Sequence, residues 1–315
     1  MPFVVAVVGA TATGKSDLGV SLGRHLDGEV VGADASQLYR GMDIGTAKLP
    51  LAEREGVPHH QVDVLDVAQE ATLAGYQRHA RADVDAVLAR GAVPVVVGGS
   101  GLYVRALLDR LDIPPTDPQV RARLEARLAD EGVEALLAEL RRVDPEAAAA
   151  IEPNNGRRIV RALEVVELTG RPFSATMPTR DFVRPTLVVG LRFDREALDT
   201  RIERRTRRMF AGGLVEETRA LVDLGLREGR TASRAVGYAQ ALAVIDGTMT
   251  VEEATADTAL RTRRLVRRQE SWFGADPRLH WFDAVDRDLV DRVVELVEES
   301  ATSVRRRGWD DGAHG

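Results

Sequence analysis

The chain has 315 residues, 44% hydrophobic and 29% charged, enough to bury the core of one large or two modest globular domains. Its net charge of −6 argues mildly against a nucleic-acid partner, and the lack of cysteine excludes disulfides, thiolate metal sites and a cysteine nucleophile. No apolar run approaches the roughly 20 residues of a bilayer-crossing helix, so a cytoplasmic protein with no membrane partner is expected. Aromatic content of 4% also makes a base-stacking sheet of the kind used by some RNA readers an unexpected feature.

Residues 3–8 (FVVAVV) read as a fully buried strand, and MPFVVAVVG lacks the basic start of a signal peptide. The strand runs into GATATGKS, with Gly9, Ala10, Thr11, Ala12, Thr13, Gly14, Lys15 and Ser16 fitting G-x-x-x-x-G-K-[ST] at every fixed position. A helix over 17–26 follows, then a short strand at 29–33 (EVVGA) ending at Asp34, a helix over 71–90, and a buried strand at 93–97 (VPVVV) ending in Gly98-Gly99-Ser100-Gly101. Continuous apolar strands separated by helices predict a parallel sheet covered on both faces. Its ligands bind beyond the carboxyl ends of the strands, where the loops 9–16, 34–37 and 98–101 should meet.

The texture changes at 111–120 (LDIPPTDPQV), where three prolines mark a boundary. To about Thr169 the composition is helical, with breaks at Gly132, Asp144-Pro145 and Pro153-Asn154-Asn155 predicting three or four short helices. Strand character returns at 186–193 (TLVVGLRF), followed by helices around 195–227 and 251–274, a short strand at 279–282 and a closing helix at 286–303. The expected architecture is an α/β fold: a P-loop NTPase-like parallel sheet covered by helices on both faces, with a mostly helical insertion domain. Residues 1–112 and 186–303 would form the discontinuous core, 113–185 the insertion, and 304–315 a disordered tail.

The glycines of the 9–16 loop let successive N–H groups point inward, where the next helix adds its positive end. Lys15 supplies a point charge to a phosphate, and the Ser16 hydroxyl suits Mg²⁺. A conventional ATPase or GTPase would pair this loop with an aspartate closing the apolar strand 93–97, but glycine and serine stand there. The acid follows the second strand instead, at Asp34, as a Mg²⁺ anchor, a general base or merely a turn residue. Two basic runs break the acidic average: 201–208 (RIERRTRR) and 261–268 (RTRRLVRR) each hold five arginines. His59-His60 fits loop packing or a substrate loop better than a metal site, because adjacent residues point apart.

The series GATATGKS, GADASQLYRGMDIGTAK, VPHHQVDVLD, VVVGGSGLYVRALL, DPEAAAAIEPNNGRRIVRALEV, RIERRTRRMFAGGLVEE, SRAVGYAQAL and TRRLVRRQESWF resembles the ordered motifs of the tRNA dimethylallyltransferase family over residues 3–282. The resemblance implies transfer of a dimethylallyl group from dimethylallyl diphosphate to N6 of the adenosine directly 3′ of the anticodon, in tRNAs reading codons that begin with U. The loop would then grip a diphosphate leaving group, with Mg²⁺ at Ser16. Asp34 aligns with the catalytic aspartate that takes or orients the N6 proton. Ser100 aligns with a hydroxyl residue, usually threonine, and lacks only the methyl that restricts its rotamer. Arg205 aligns with an arginine set against the diphosphate, although Arg204, Arg207 and Arg208 could shift that register.

By the same resemblance the partners are the tRNA anticodon stem-loop and dimethylallyl diphosphate, met by a monomer. The tRNA contacts would be Asp34, Ala35, Ser36, Gln37, Ser100, Arg121, Arg157, Arg158, Arg161, Ser233, Arg234, Gly237 and Tyr238, with Arg261, Arg264 and Arg268 forming a stripe for phosphates. Arg157, Arg158 and Arg161 share one helix face, which by itself fits a solvated basic surface equally well. The competing activities are an ATP-using small-molecule kinase, with the insertion as a lid, and prenylation of free adenine nucleotides.

Overall fold

A computed structural model describes residues 3–174 and 180–307. Six parallel strands form one sheet in the order β3-β2-β4-β1-β5-β6: β1 Val4–Gly9, β2 Gly28–Gly32, β3 His59–His60, β4 Val93–Gly98, β5 Thr186–Arg192 and β6 Leu279–Asp283. Side chains alternate along each strand, so β1 feeds two cores. Val4, Ala6 and Val8 join Tyr76, Ala80 and Val84 of α2 (Leu73–Ala89) and Leu107 of α3 (Gly101–Leu108) on one face. Val5 and Val7 join Leu18 and Leu22 of α1 (Lys15–His25) and Val293 and Val297 of α12 (Leu289–Arg307) on the other. Double burial is why these strands read as unbroken valine runs.

Four helices carry the insertion: α4 Pro118–Glu131, α5 Val133–Val143, α6 Pro145–Ala150 and α7 Gly156–Thr169. Asp117, Asp144 and Asn155 cap α4, α6 and α7 with side-chain acceptors, and Pro118 and Pro145 open their first turns, each cap contributing about 1 kcal/mol. Leu124, Leu136, Leu137, Leu140, Ile159 and Leu163 form its own core. The chain divides into two compact units, Asp109–Asp181 and the remainder; the expected insertion started and ended about four residues later, because composition registers the prolines and the next strand rather than where packing changes partner.

The remaining helices belong to the sheet unit: α8 Arg195–Ala211, α9 Leu214–Val222, α10 Tyr238–Ile245 and α11 Val251–Gly274. Their apolar faces close a third core around Tyr39, Met42, Phe210, Leu214 and Tyr238. Two expectations change. His59 and His60 lie in β3, paired with Val30 and Val31 of β2, and not in a loop. Residues 304–307, expected in a disordered tail, extend α12; the rest of that tail, 308–315, lies outside the described residues.

One buried carboxylate organises the insertion. Glu164 of α7 has a fully enclosed side chain. It receives Thr116 Oγ1 at 2.6 Å, the Asp117 N–H at 3.0 Å, Arg161 Nη1 at 2.7 Å and the Arg121 guanidinium. Enclosure alone would raise its pKa, but the Arg121, Thr116 and Arg161 hydrogen bonds hold it at about 2. A depressed carboxylate stabilises the fold above its ordinary value near 4.5, and that stability is lost as pH falls towards about 2. Glu164→Ala, which strands Arg121 and Arg161 beside an empty site, is expected to destabilise the helical unit by about 3 kcal/mol. Hydrogen exchange of α4 and α7 in the full chain checks this, and protection unchanged from wild type would refute it.

Candidate functional site

Three loops meet at the carboxyl edge of the sheet because β2, β4 and β1 are neighbours in it. After β1 the chain curls through the 9–16 loop, with Gly14 at φ 91° immediately before α1, a conformation that only glycine adopts without strain. The Thr13 hydroxyl donates to the Ala10 carbonyl at 2.9 Å, and Lys15 Nζ donates to the same carbonyl at 2.5 Å. The lysine therefore lies across its own loop. Ser16 follows it on α1 with its side chain exposed.

Asp34 stands just beyond β2. Its Oδ1 accepts the Ser36 N–H at 2.9 Å, a turn that fixes the carboxylate. Ser100 just beyond β4 accepts the Ala35 N–H through Oγ at 3.3 Å, so the two loops are stitched by the residues expected to share chemistry. Close approach requires Gly98: a Cβ there would come within 2.2 Å of the Ala33 carbonyl oxygen.

Arg205 enters from α8. In that helix Ile202, Thr206 and Met209 are buried, while Arg204, Arg207 and Arg208 are exposed. Helical phase therefore turns Arg205 inward and its three arginine neighbours outward. Its Nη2 donates to the Thr46 carbonyl at 3.4 Å.

Asp34, Ser100, Arg205 and Thr11 line one cavity of about 550 Å³, together with Gly45, Thr46, Tyr103, Arg234, Arg268 and Trp272. Burial pushes the Lys15 ammonium down to about 8, against the pull of Asp34 and with a further push from Arg205. Burial likewise lowers Arg205, opposed by Asp34. One carboxylate thus faces two half-buried, partly desolvated cations, an arrangement suited to a polyanionic ligand and one proton transfer.

The expected nucleic-acid contacts divide. Ser36, Arg234 and Arg268 line the cavity, and Gln37 donates to the Thr46 carbonyl at 3.3 Å. Ala35 and Ser233 are half-buried. Arg157 and Arg158 are exposed and make no side-chain hydrogen bond or ion pair among the described residues. Arg121 and Arg161 are committed to Glu164, and Arg161 also donates to the carbonyls of Pro114 and Pro115. On α11, Arg264 and Arg268 are exposed, and Arg261 pairs with Asp257 at 2.6 Å. Tyr238 and Gly237 depart from expectation: both are buried, Tyr238 at 0% exposure, so its ring offers no surface to an RNA. His59 and His60 bond to the Val57 carbonyl and Glu29, and among the described residues no cluster of three metal-ligating side chains exists.

Sequence reasoning missed Gln269 of α11. It accepts the Thr11 N–H at 2.8 Å and donates to the Gly99 carbonyl at 2.9 Å, tying the phosphate loop to the end of β4. Val266, Gln269 and Phe273 are all buried on one face of α11, and a buried polar residue needs partners, which here lie too far away in sequence to be read locally.

The IPP transferase family profile matches residues 37–276. A tRNA dimethylallyltransferase of Nocardia farcinica (strain IFM 10152) is 58% identical over 300 residues, covering 95% of this chain and 96% of its own. One of Kineococcus radiotolerans (strain ATCC BAA-149 / DSM 14245 / SRS30216) is 60% identical over 304 residues, covering 93% and 96%. The crystal structure of the full-length tRNA isopentenylpyrophosphate transferase from Bacillus halodurans matches with a TM-score of 0.70 and 38% identity, over 97% of this chain and 100% of that one. With a matched profile over most of its length and relatives aligned nearly end to end, the chain belongs to the IPP transferase family.

Proposed function

We propose that the chain transfers the dimethylallyl group of dimethylallyl diphosphate to N6 of the adenosine directly 3′ of the anticodon of a tRNA, in the cytoplasm. The observation that carries this reading is the meeting of Asp34 and Arg205 at one cavity, with Lys15 of the adjoining loop within electrostatic reach of both. The family relationship supports it, since the relatives are tRNA dimethylallyltransferases.

As the allylic C–O bond stretches, its electron pair collects on the departing diphosphate. The loop N–H groups, Lys15 and Arg205 face that developing charge and stabilise it where water is sparse. N6 attacks the allylic carbon, a C–N bond forms, and the N6 proton passes to the Asp34 carboxylate. The amine becomes acidic only as it attacks, so a carboxylate is a sufficient base. Ser100, bonded to the Asp34 loop, holds a hydroxyl beside the same atoms.

The exposed Ser16 hydroxyl, a hard oxygen at the head of α1, would hold Mg²⁺ as an ion that keeps several waters and shares phosphate oxygens. Bound there it would supply further neutralisation of diphosphate charge. The adenine arrives from an anticodon loop that is already single-stranded, so extruding it costs only a few kcal/mol. Arg157, Arg158, Arg264 and Arg268 are the exposed arginines for its phosphates.

The direct test offers dimethylallyl diphosphate and ATP separately with unmodified tRNA and Mg²⁺. Prenylated tRNA and free diphosphate are expected from the first, and ATP turnover indifferent to tRNA would replace this reading with a kinase. Asp34→Ala should lower transfer about a hundredfold or more while tRNA affinity stays within about twofold; an active variant removes Asp34 from the chemistry.

Because a lysine lowered to about 8 loses its charge above that value, affinity for dimethylallyl diphosphate without tRNA is expected to fall as pH rises through about 8. Titration by calorimetry between about pH 7 and 9 checks it, and a flat profile argues against Lys15. Arg157→Ala and Arg158→Ala are each expected to reduce the slope of log affinity for tRNA against log salt by about one. A slope identical to wild type would place the RNA elsewhere.

A further inference from the structure

Residues 43–46 belong to no helix or strand, yet Gly45 and Thr46 form a wall of the cavity. A phenol and a carboxylate hold them. Glu217 of α9 accepts the N–H of Ile44 at 2.9 Å and of Asp43 at 3.3 Å, and the Tyr238 hydroxyl of α10 donates to it at 2.5 Å. The same hydroxyl accepts the Gly45 N–H at 3.2 Å. Gly45 lies against the phenol ring, where a Cβ would approach within 2.4 Å. The Thr46 hydroxyl then turns back to the Met42 carbonyl at 2.6 Å.

With the N–H groups of Asp43, Ile44 and Gly45 and the Thr46 hydroxyl so fixed, the Thr46 carbonyl takes partners from other elements. That oxygen receives Arg205 Nη2 and Gln37 Nε2. Both bonds are long, at 3.4 and 3.3 Å, so they orient their donors only if the carbonyl itself does not move. Arg205 is half-buried and partly desolvated, so before any ligand arrives its aim is set by protein acceptors. Burial and the neighbouring Glu217 carboxylate hold the Tyr238 phenol far above its ordinary value, so it stays a donor throughout the working pH range.

We propose that Tyr238 and Glu217 are positioning residues for the transfer: they clamp residues 43–46 so that the Thr46 carbonyl aims the Arg205 guanidinium at the diphosphate. This rests on the reading of Arg205 as a diphosphate-facing cation. It also gives Tyr238 a role that needs no contact with RNA, in keeping with its enclosed ring. The clamp explains the glycine of DIGT, because a Cβ at Gly45 would run into the Tyr238 ring.

The test is a double-mutant cycle read by affinity for inorganic diphosphate, the released product, with thermal melting as the check on folding. Tyr238→Phe keeps the ring against Gly45 and deletes the hydroxyl. It is expected to weaken diphosphate binding about five- to tenfold when Arg205 is present, and to add almost nothing in an Arg205→Ala background. Affinity for tRNA should be unchanged. Equal weakening in both backgrounds, or none in either, overturns the clamp. If Tyr238→Phe does not fold, Glu217→Gln takes its place in the cycle. Failure of both to fold makes the pair a purely structural element and also overturns the proposal. A wild-type protein that binds no diphosphate would instead sink the donor reading on which the clamp depends, so the two failures are told apart.

Discussion

An ammonium withdrawn from water must find anionic company or lose its proton, and Lys15 is held between these outcomes. Its nearest hydrogen-bond partner is the carbonyl of Ala10 in its own loop, and the carboxylate that faces it is Asp34. Arg205 adds a second buried cation to the same space. One carboxylate does not balance two cations, so the site is incomplete without an anion. That imbalance favours an anionic ligand, such as the diphosphate proposed above: the cost of desolvating the cations is already met in the fold, and an anion recovers it. A site oriented before the ligand arrives does not reorganise while the C–O bond breaks.

The sheet order makes this meeting unavoidable. With every strand parallel, all carboxyl ends lie on one edge. Placing β4 between β2 and β1 sets the Asp34 turn, the Ser100 turn and the phosphate loop side by side. On the other flank of β1, β5 leads into α8, whose inner face packs Leu198 and Ile202 against Ala10 of the loop. The same packing that buries these apolar groups brings Arg205 inward. Gln269 adds a polar tie from α11 to both the phosphate loop and the end of β4. Core and site are therefore one construction, and a change that loosened the α8 contact with Ala10 would also misdirect a charge.

The legible parts of the chain were those with local signatures. Valine runs, glycine loops and proline breaks identified five strands, the insertion helices and the loop 9–16, because each depends on residues near in sequence. β3 escaped because two residues carry no periodicity, and α3 and α10 because eight residues span scarcely two turns. Glu217 and Gln269 escaped for a different reason. Their partners are 173 and 258 residues away, and nothing in a local window reports such a bond. Tyr238 was misread as a contact surface because its motif was visible while its burial was not.

Arginine shows the same limit most sharply, since its count is local and its availability is not. In sequence Arg161 shares a basic helix face with Arg157 and Arg158, and Arg121 at the start of the insertion looks like a further contact. Glu164, three residues beyond Arg161 in the same helix, is fully enclosed and engages both. An enclosed carboxylate requires such partners, so two of the four arginines are already committed to making the helical unit rigid. Arg157 and Arg158 remain in water with their charge unopposed. On α8 the division follows helical phase, with Arg205 turned inward and Arg204, Arg207 and Arg208 outward. A net charge of −6 is accordingly the wrong quantity for judging whether this protein can meet a polyanion. What decides it is how many guanidinium groups the fold leaves uncommitted, and where on the surface they lie.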